Sequence, residues 1–273
     1  MALLSVGIDD TATATHMSEG WAFILLPQNG VAELEKAAAP LSNGGAPFHG
    51  SKCGQRGIPR YEKFLAAIRD VVKSHAPSLL AHVFHDPSSY KDIKDIAKTV
   101  VSASKISLAS SVEAATRYVI PPLLTLQRLT NNQNLKSKLL KVWLDEAGLT
   151  QAFSSMNVET TPPIRAIAFT KALYNAYRKS KFPGAPEMGT DGLRVQPDET
   201  SILIQAADVF GNFAAAYAAW QLGATDIRQL KGAAFGQAFA NPDMSQVLPF
   251  LSLKGDHLEV ALDNPGVLQL LIT

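Results

Sequence analysis

Between Glu199 and Asp226 the chain carries a single formally charged residue, Asp208, in the middle of its most apolar stretch, residues 201–220. A helix through this stretch is expected to be buried, and its one carboxylate is buried with it. An ionised carboxylate in an apolar interior costs about several kcal/mol unless it is neutralised. Asp208 must therefore be protonated, paired with an arginine or lysine, or set against a bound cation. Gln205, Asp208 and Asn212 in mid-span favour the buried helix of a soluble protein over a membrane-spanning one.

With 273 residues, 47% of them apolar and 18% charged, the chain can bury a full core without metal or disulfide staples. The expectation is one domain over residues 1–273: a core of about 1–222, a helical insertion at about 90–135, and a C-terminal helical and extended piece over 223–273. Cys53 is the only cysteine, so no disulfide forms within the chain and a reduced cytoplasm is the default. The N-terminus has no basic segment before its first apolar run, which argues against a signal peptide. A net charge of +1 gives no general attraction for nucleic acid, so any such contact must be local.

The pattern is α/β. Leu3 to Asp9 and Trp21 to Leu26 read as two adjacent strands, the second stopped by Pro27. Residues 42–60 read as a long loop containing Phe48-His49-Gly50-Ser51-Lys52-Cys53. Apolar residues at 61, 64, 65, 68, 71 and 72 predict a helix from Tyr61 to His75, and Leu79 to Phe84 a buried strand. Leu139 to Leu144 is a strand running into Asp145-Glu146. Ile164 to Lys181 is an amphipathic helix, Leu193 to Gln196 a short strand, and the Asp208 helix follows. Beyond Thr225 one helix runs to about Ala240, then two extended pieces flank a turn at Lys254-Gly255.

Three sets of acids stand in apolar surroundings: Asp9 with Asp10 at one strand end, Asp145 with Glu146 at another, and Asp208 in its helix. Carboxylates gathered in a dry site repel one another unless divalent cations neutralise them. Two such ions about 3.5–4 Å apart are the arrangement used for in-line phosphoryl chemistry. Hard carboxylate oxygens select Mg²⁺ or Mn²⁺ over zinc.

Four separated pieces carry a family pattern. Gly7-Ile8-Asp9-Asp10-Thr11 stands where a strand would run into Ile-Asp-Glu-Ser-Gly, and Phe48-His49-Gly50-Ser51 matches a Phe-His-x-Ser loop followed by a helix. Val142-Trp143-Leu144-Asp145-Glu146 is a strand ending in Asp-Glu. Asp198-Glu199-Thr200 is followed by Leu203-Ile204-Gln205-Ala206-Ala207-Asp208-Val209-Phe210-Gly211, the most specific piece because it sets Gln, a small residue, Asp and Gly on one helix. In this order, over roughly residues 1–220, the chain resembles the prokaryotic and phage Domain of Unknown Function 3800 proteins, whose fold is similar to ribonuclease H. The resemblance implies a ribonuclease H-like mixed sheet flanked by helices, with Asp9, Asp145 and Asp208 converging as metal ligands. Asp10 replaces the usual Glu and Thr11-Ala12 replaces Ser-Gly, which shortens one accessory ligand by a methylene.

Each site residue has a plainer alternative. Asp208 could be one half of a buried salt bridge, and Asp86 competes with Asp145 as the strand-end ligand. Glu62, near the start of a helix, is accounted for by the helix dipole. His49 could donate to a phosphate or shuttle a proton, or be an exposed loop residue. His82 and His85, three apart on a strand, face opposite ways and make a poor metal pair. Lys171, Tyr174, Arg178 and Lys181 fall on one helical face, either a backbone-tracking stripe or a solvated surface. Cys53 has no evident base and reads as a small packed residue. No Gly-Lys-Ser/Thr phosphate loop and no Gly-x-Gly-x-x-Gly is present, so nucleotide cofactors are not supported.

The function expected from these residues and the resemblance is hydrolysis of DNA or RNA phosphodiesters with Mg²⁺ or Mn²⁺. Asp9, Asp145 and Asp208 would hold metal, Asp10 and His49 would assist, and Lys52, Lys171 and Arg178 would contact phosphate. The rival is a non-catalytic ribonuclease H-like module that joins a protein partner or a second copy in a prokaryotic or phage-defence assembly. A phosphotransferase on the same superfold has less support, because its glycine-rich loops are missing. Neither reading involves a membrane.

Overall fold

The computed structural model describes residues 4–11, 19–85, 118–126, 140–146, 192–221 and 223–239, with short pieces at 129, 171–172, 175, 251–254, 257–260 and 271–272. Strands β1 (Leu4–Thr11), β2 (Glu19–Pro27) and β3 (Leu79–His85) pair antiparallel in succession, while β4 (Leu140–Asp145) and β5 (Leu193–Gln196) add parallel to β1. The sheet order is β5-β4-β1-β2-β3, so the first strand is central and the chain is α/β with a mixed sheet. Beyond β3 come β6 (Leu251–Lys254) and β7 (His257–Val260), with β8 (Leu271–Ile272) also on β3. The two extended pieces expected in the C-terminal region match β6 and β7, while Gly255 of the expected turn lies outside the described residues.

Alternation along the strands sorts the core into two layers. Leu4, Val6, Ile8, Phe23, Leu25, Leu79, Ala81, Val142 and Leu144 face the helical segment 118–126. Ala22, Ile24, Leu26 and Leu80 face the opposite layer, where α1 (Gln28–Ala38), α2 (Ile58–Ser74), α3 (Ile202–Gln221) and α4 (Ile227–Phe239) pack. On that second face β1 presents Ser5, Gly7 and Asp9, a row with almost no apolar bulk.

The bareness of that row is what lets α3 sit on β1. A Cβ added at Gly7 would collide with the Leu203 carbonyl, so the helix backbone rests directly on the strand. From Leu203 to Asp208 a helix advances about 7.5 Å. From Gly7 to Asp9 a strand advances about 6.7 Å. A helix lying along β1 and touching it at Gly7 therefore carries Asp208 to the level of Asp9.

α3 ends at Gly223, whose positive φ of 95° allows a left-handed cap. The Gly223 N–H donates to Trp220 O and the Ala224 N–H to Ala219 O, closing the helix and reversing the chain into α4. Gly232 then admits close packing, since a Cβ there would lie 3.0 Å from Trp220 Cβ and from Tyr217 Cα. α3 is the one described helix long and apolar enough to cross a membrane, and most of it is buried inside the protein.

Two expectations change. Residues 28–38, given no helix from the sequence, form α1; Val31, Leu34 and Ala38 recur at helical spacing, and the sequence reading stopped at Pro27. The loop over 42–60 is broken by single 3-10 turns, and α2 starts at Ile58, three residues before Tyr61, because Pro59 suits a first helical turn. Tyr61 keeps its expected place on the buried face. Most of the 90–135 insertion and of the 164–181 helix lies outside the described residues.

Candidate functional site

Asp9 closes the exposed end of the bare row on β1, and the parallel register setting Ile8 beside Leu144 puts Asp145 next to it on β4. Oxygens of Asp9, Asp10 and Asp145 all lie within 4.8 Å of one another. Asp9 and Asp145 are each 6% exposed, whereas Asp10 is at the surface. Burial, then the charges of Asp208, Asp145 and Asp10, hold the Asp9 carboxyl well above the usual carboxylate range. Asp208 comes first among those charges, in keeping with the packing of α3 directly on β1. Asp10, though solvent-accessible, is crowded enough by protein for its carboxyl to be raised as well.

Asp208 is also 6% exposed. Its two oxygens accept from the Gly50 N–H at 2.7 Å and from Asn212 Nδ2 at 2.6 Å. Neither donor is a cation, so the buried salt bridge weighed for Asp208 does not form among the described residues. Burial raises its carboxyl to about 6; the Asp198 charge adds to this, while the Gly50 bond, His49 and Asn212 oppose it. His49 Nδ1 and Asp198 Oδ2 are 2.5 Å apart, and with Asp208 they form a second cluster whose ligand atoms lie within 4.8 Å of each other. Asp208 thus stands between a set of strand-end acids and a His-Asp pair.

The loop Phe48-His49-Gly50 is pinned one residue at a time. The Phe48 N–H donates to Gln205 Oε1 at 3.0 Å; the His49 N–H donates to Tyr61 Oη at 3.0 Å, and the same hydroxyl donates to His49 O at 2.9 Å. Gly50 gives its N–H to Asp208 and its carbonyl to Lys231 Nζ at 2.8 Å. Only glycine fits there, because a Cβ would lie 2.7 Å from Asp208 O and 2.8 Å from Asn212 Cβ.

The structure brings Asp9, Asp10, Asp145, Asp208 and His49 to one end of the sheet. Lys52 is exposed and lines an open groove with Gln55, Thr225 and Asp226, on the outer side of the same loop. Lys171 is described as helical, while Arg178, Tyr174, Lys181 and Asp86 lie outside the described residues. Glu62 belongs to neither cluster. His82 is buried on β3, where the pairing Asp9 to Ala22 to His82 sets it two strands from Asp9.

The sequence reading did not assign roles to Asp198, Asn212 or Lys231. Asn212 was open to discovery, since it lies one helical turn beyond Asp208 on the same face. Lys231 and Asp198 meet the site only through long-range packing. A scan of protein-family models found no match, and a search of curated proteins found none either.

Proposed function

We propose that the protein is a divalent-cation-dependent phosphodiesterase acting on nucleic acid, built on a ribonuclease H-like sheet. The observation that carries this reading is the gathering of Asp9, Asp145 and Asp208, each nearly dry, at one end of the sheet, close enough for the charges of Asp208 and Asp145 to act on Asp9. Such a group of buried carboxylates is costly in isolation and suits a hard cation, whose charge offsets their repulsion. The sheet order β3-β2-β1-β4-β5, antiparallel then parallel, accords with a ribonuclease H-like fold.

Asp9, Asp145 and Asp208 would hold Mg²⁺ or Mn²⁺, with Asp10 at the rim. A cation bound there would offset phosphate charge and favour in-line hydrolysis. With Nδ1 engaged by Asp198, His49 keeps Nε2 for proton exchange or for donation to a phosphate oxygen. Lys52, Lys171 and Arg178 are assigned to the nucleic-acid backbone. A cytoplasmic location fits the buried free thiol of Cys53 and the burial of the one long apolar helix.

The test is cleavage of end-labelled single- and double-stranded DNA and RNA with Mg²⁺ or Mn²⁺, comparing wild type with Asp9→Asn and Asp208→Asn. Cleavage by wild type that both substitutions abolish is expected. No cleavage of any polymer, together with no saturable Mn²⁺ binding, would overturn the proposal in favour of a non-catalytic interaction module.

A further inference from the structure

We propose that Lys231, on helix α4, is a positioning residue of the carboxylate site, fixing Asp208 through the Gly50 backbone. Lysines are almost never fully buried unless their ammonium has a specific partner. Lys231 is only 7% exposed, and its Nζ donates to the Gly50 carbonyl at 2.8 Å and stands 5.8 Å from the centre of the Phe213 ring. The next donor along that backbone, the Gly50 N–H, is one of the two that hold Asp208. The close approach of α4 to α3 at Gly232, the residue after Lys231, brings the lysine to the loop.

Each residue from Phe48 to Gly50 is tied to a different side chain, Gln205, Tyr61, and Lys231 with Asp208. Lys231 is the only tether that comes from α4. Without it the buried Gly50 carbonyl keeps only the long 3.4 Å bond from the Cys53 N–H, and the loop is free to turn Gly50 away from Asp208. A partner behind a metal ligand typically contributes about 10–100-fold to metal affinity. A lysine acting through its charge alone would have the opposite effect, because removing a buried positive charge tightens cation binding. The sign therefore separates positioning from electrostatics.

Two readouts test the role, and only the second rests on Asp208 being a cation ligand. The first is hydrogen exchange of the Gly50 amide relative to the β1 amides in wild type, Lys231→Met and Lys231→Arg. Selective loss of Gly50 protection by about tenfold or more in the methionine variant, restored by arginine, is expected. Unchanged Gly50 protection in Lys231→Met would overturn the proposal whatever the metal does. Loss spread equally over β1 would also overturn it, as general destabilisation.

The second readout is calorimetric Mn²⁺ titration of the same proteins beside Asp208→Asn. About tenfold weaker binding in Lys231→Met, with recovery in Lys231→Arg, supports positioning of a cation ligand. Equal or tighter binding in Lys231→Met overturns that. Selective Gly50 deprotection with no Mn²⁺ binding by wild type would uphold Lys231 as the tether of Asp208 and sink the metal-dependent activity instead.

Discussion

Replacing Asp208 by asparagine should change how stability depends on pH, by an amount that follows from the site. The buried carboxyl has its ordinary value of 3.8 raised to about 6 in the folded protein. A folded state that holds its proton more tightly is favoured at low pH: the contribution is fully present below about 3.8 and is lost as pH rises through about 6. The gap between 3.8 and about 6, at about 1.4 kcal/mol per tenfold change in proton affinity, comes to about 3 kcal/mol. Roughly half of that is recovered at pH 5 and most of it at pH 4.

Asp208→Asn removes this dependence and takes away the leading charge that raises Asp9, which acts in the same direction. The amide also disturbs the bonds from Gly50 and Asn212, but that cost does not vary with pH. The informative quantity is therefore the difference between variant and wild type, followed by urea unfolding in EDTA from pH 4 to pH 8. The variant should gain on wild type by about 2–3 kcal/mol across that range. Parallel curves, or a variant that loses ground at pH 8, would refute the claim that an ionised Asp208 is costly in the empty site. Saturating Mn²⁺ at pH 8 should then raise the stability of wild type but not of Asp208→Asn.

Other outcomes are expected of the same framework. Gly50→Ala should cost about 1–3 kcal/mol in urea unfolding and abolish Mn²⁺ binding, because its Cβ meets Asp208 O at 2.7 Å. Gly7→Ala should be near the upper end of that range, since the obstruction is the Leu203 backbone rather than a side chain that can turn away. Gln205→Ala leaves the buried Phe48 N–H without its acceptor and should cost about 1–3 kcal/mol, while Gln205→Glu, which keeps an acceptor oxygen, should cost less at low pH than at high pH.

Local pattern was enough to place most of the framework. The strands at 79–85, 140–145 and 193–196, the amphipathic α2 and the largely apolar α3 are written in residue pattern, which is local to each segment. Asp9, Asp145 and Asp208 could be singled out for the same reason: a charge inside or closing an apolar run is visible without knowing what it faces. α1 is equally legible in the helical spacing of Val31, Leu34 and Ala38.

Tertiary structure decided what those residues do to one another. Nothing in the spacing tells that Gly7 is bare so that α3 can lie against β1, or that Gly50 must accommodate Asp208 O and Asn212 from a helix 158 residues away. Asp198 reaches His49, and Lys231 reaches Gly50 across 181 residues, through the packing of separate elements. Read alone, Lys231 is an ordinary surface lysine on a short helix. Periodicity reports which face of an element is buried, whereas the partner of a buried polar group is set by how the elements dock, and that information is spread over the whole chain.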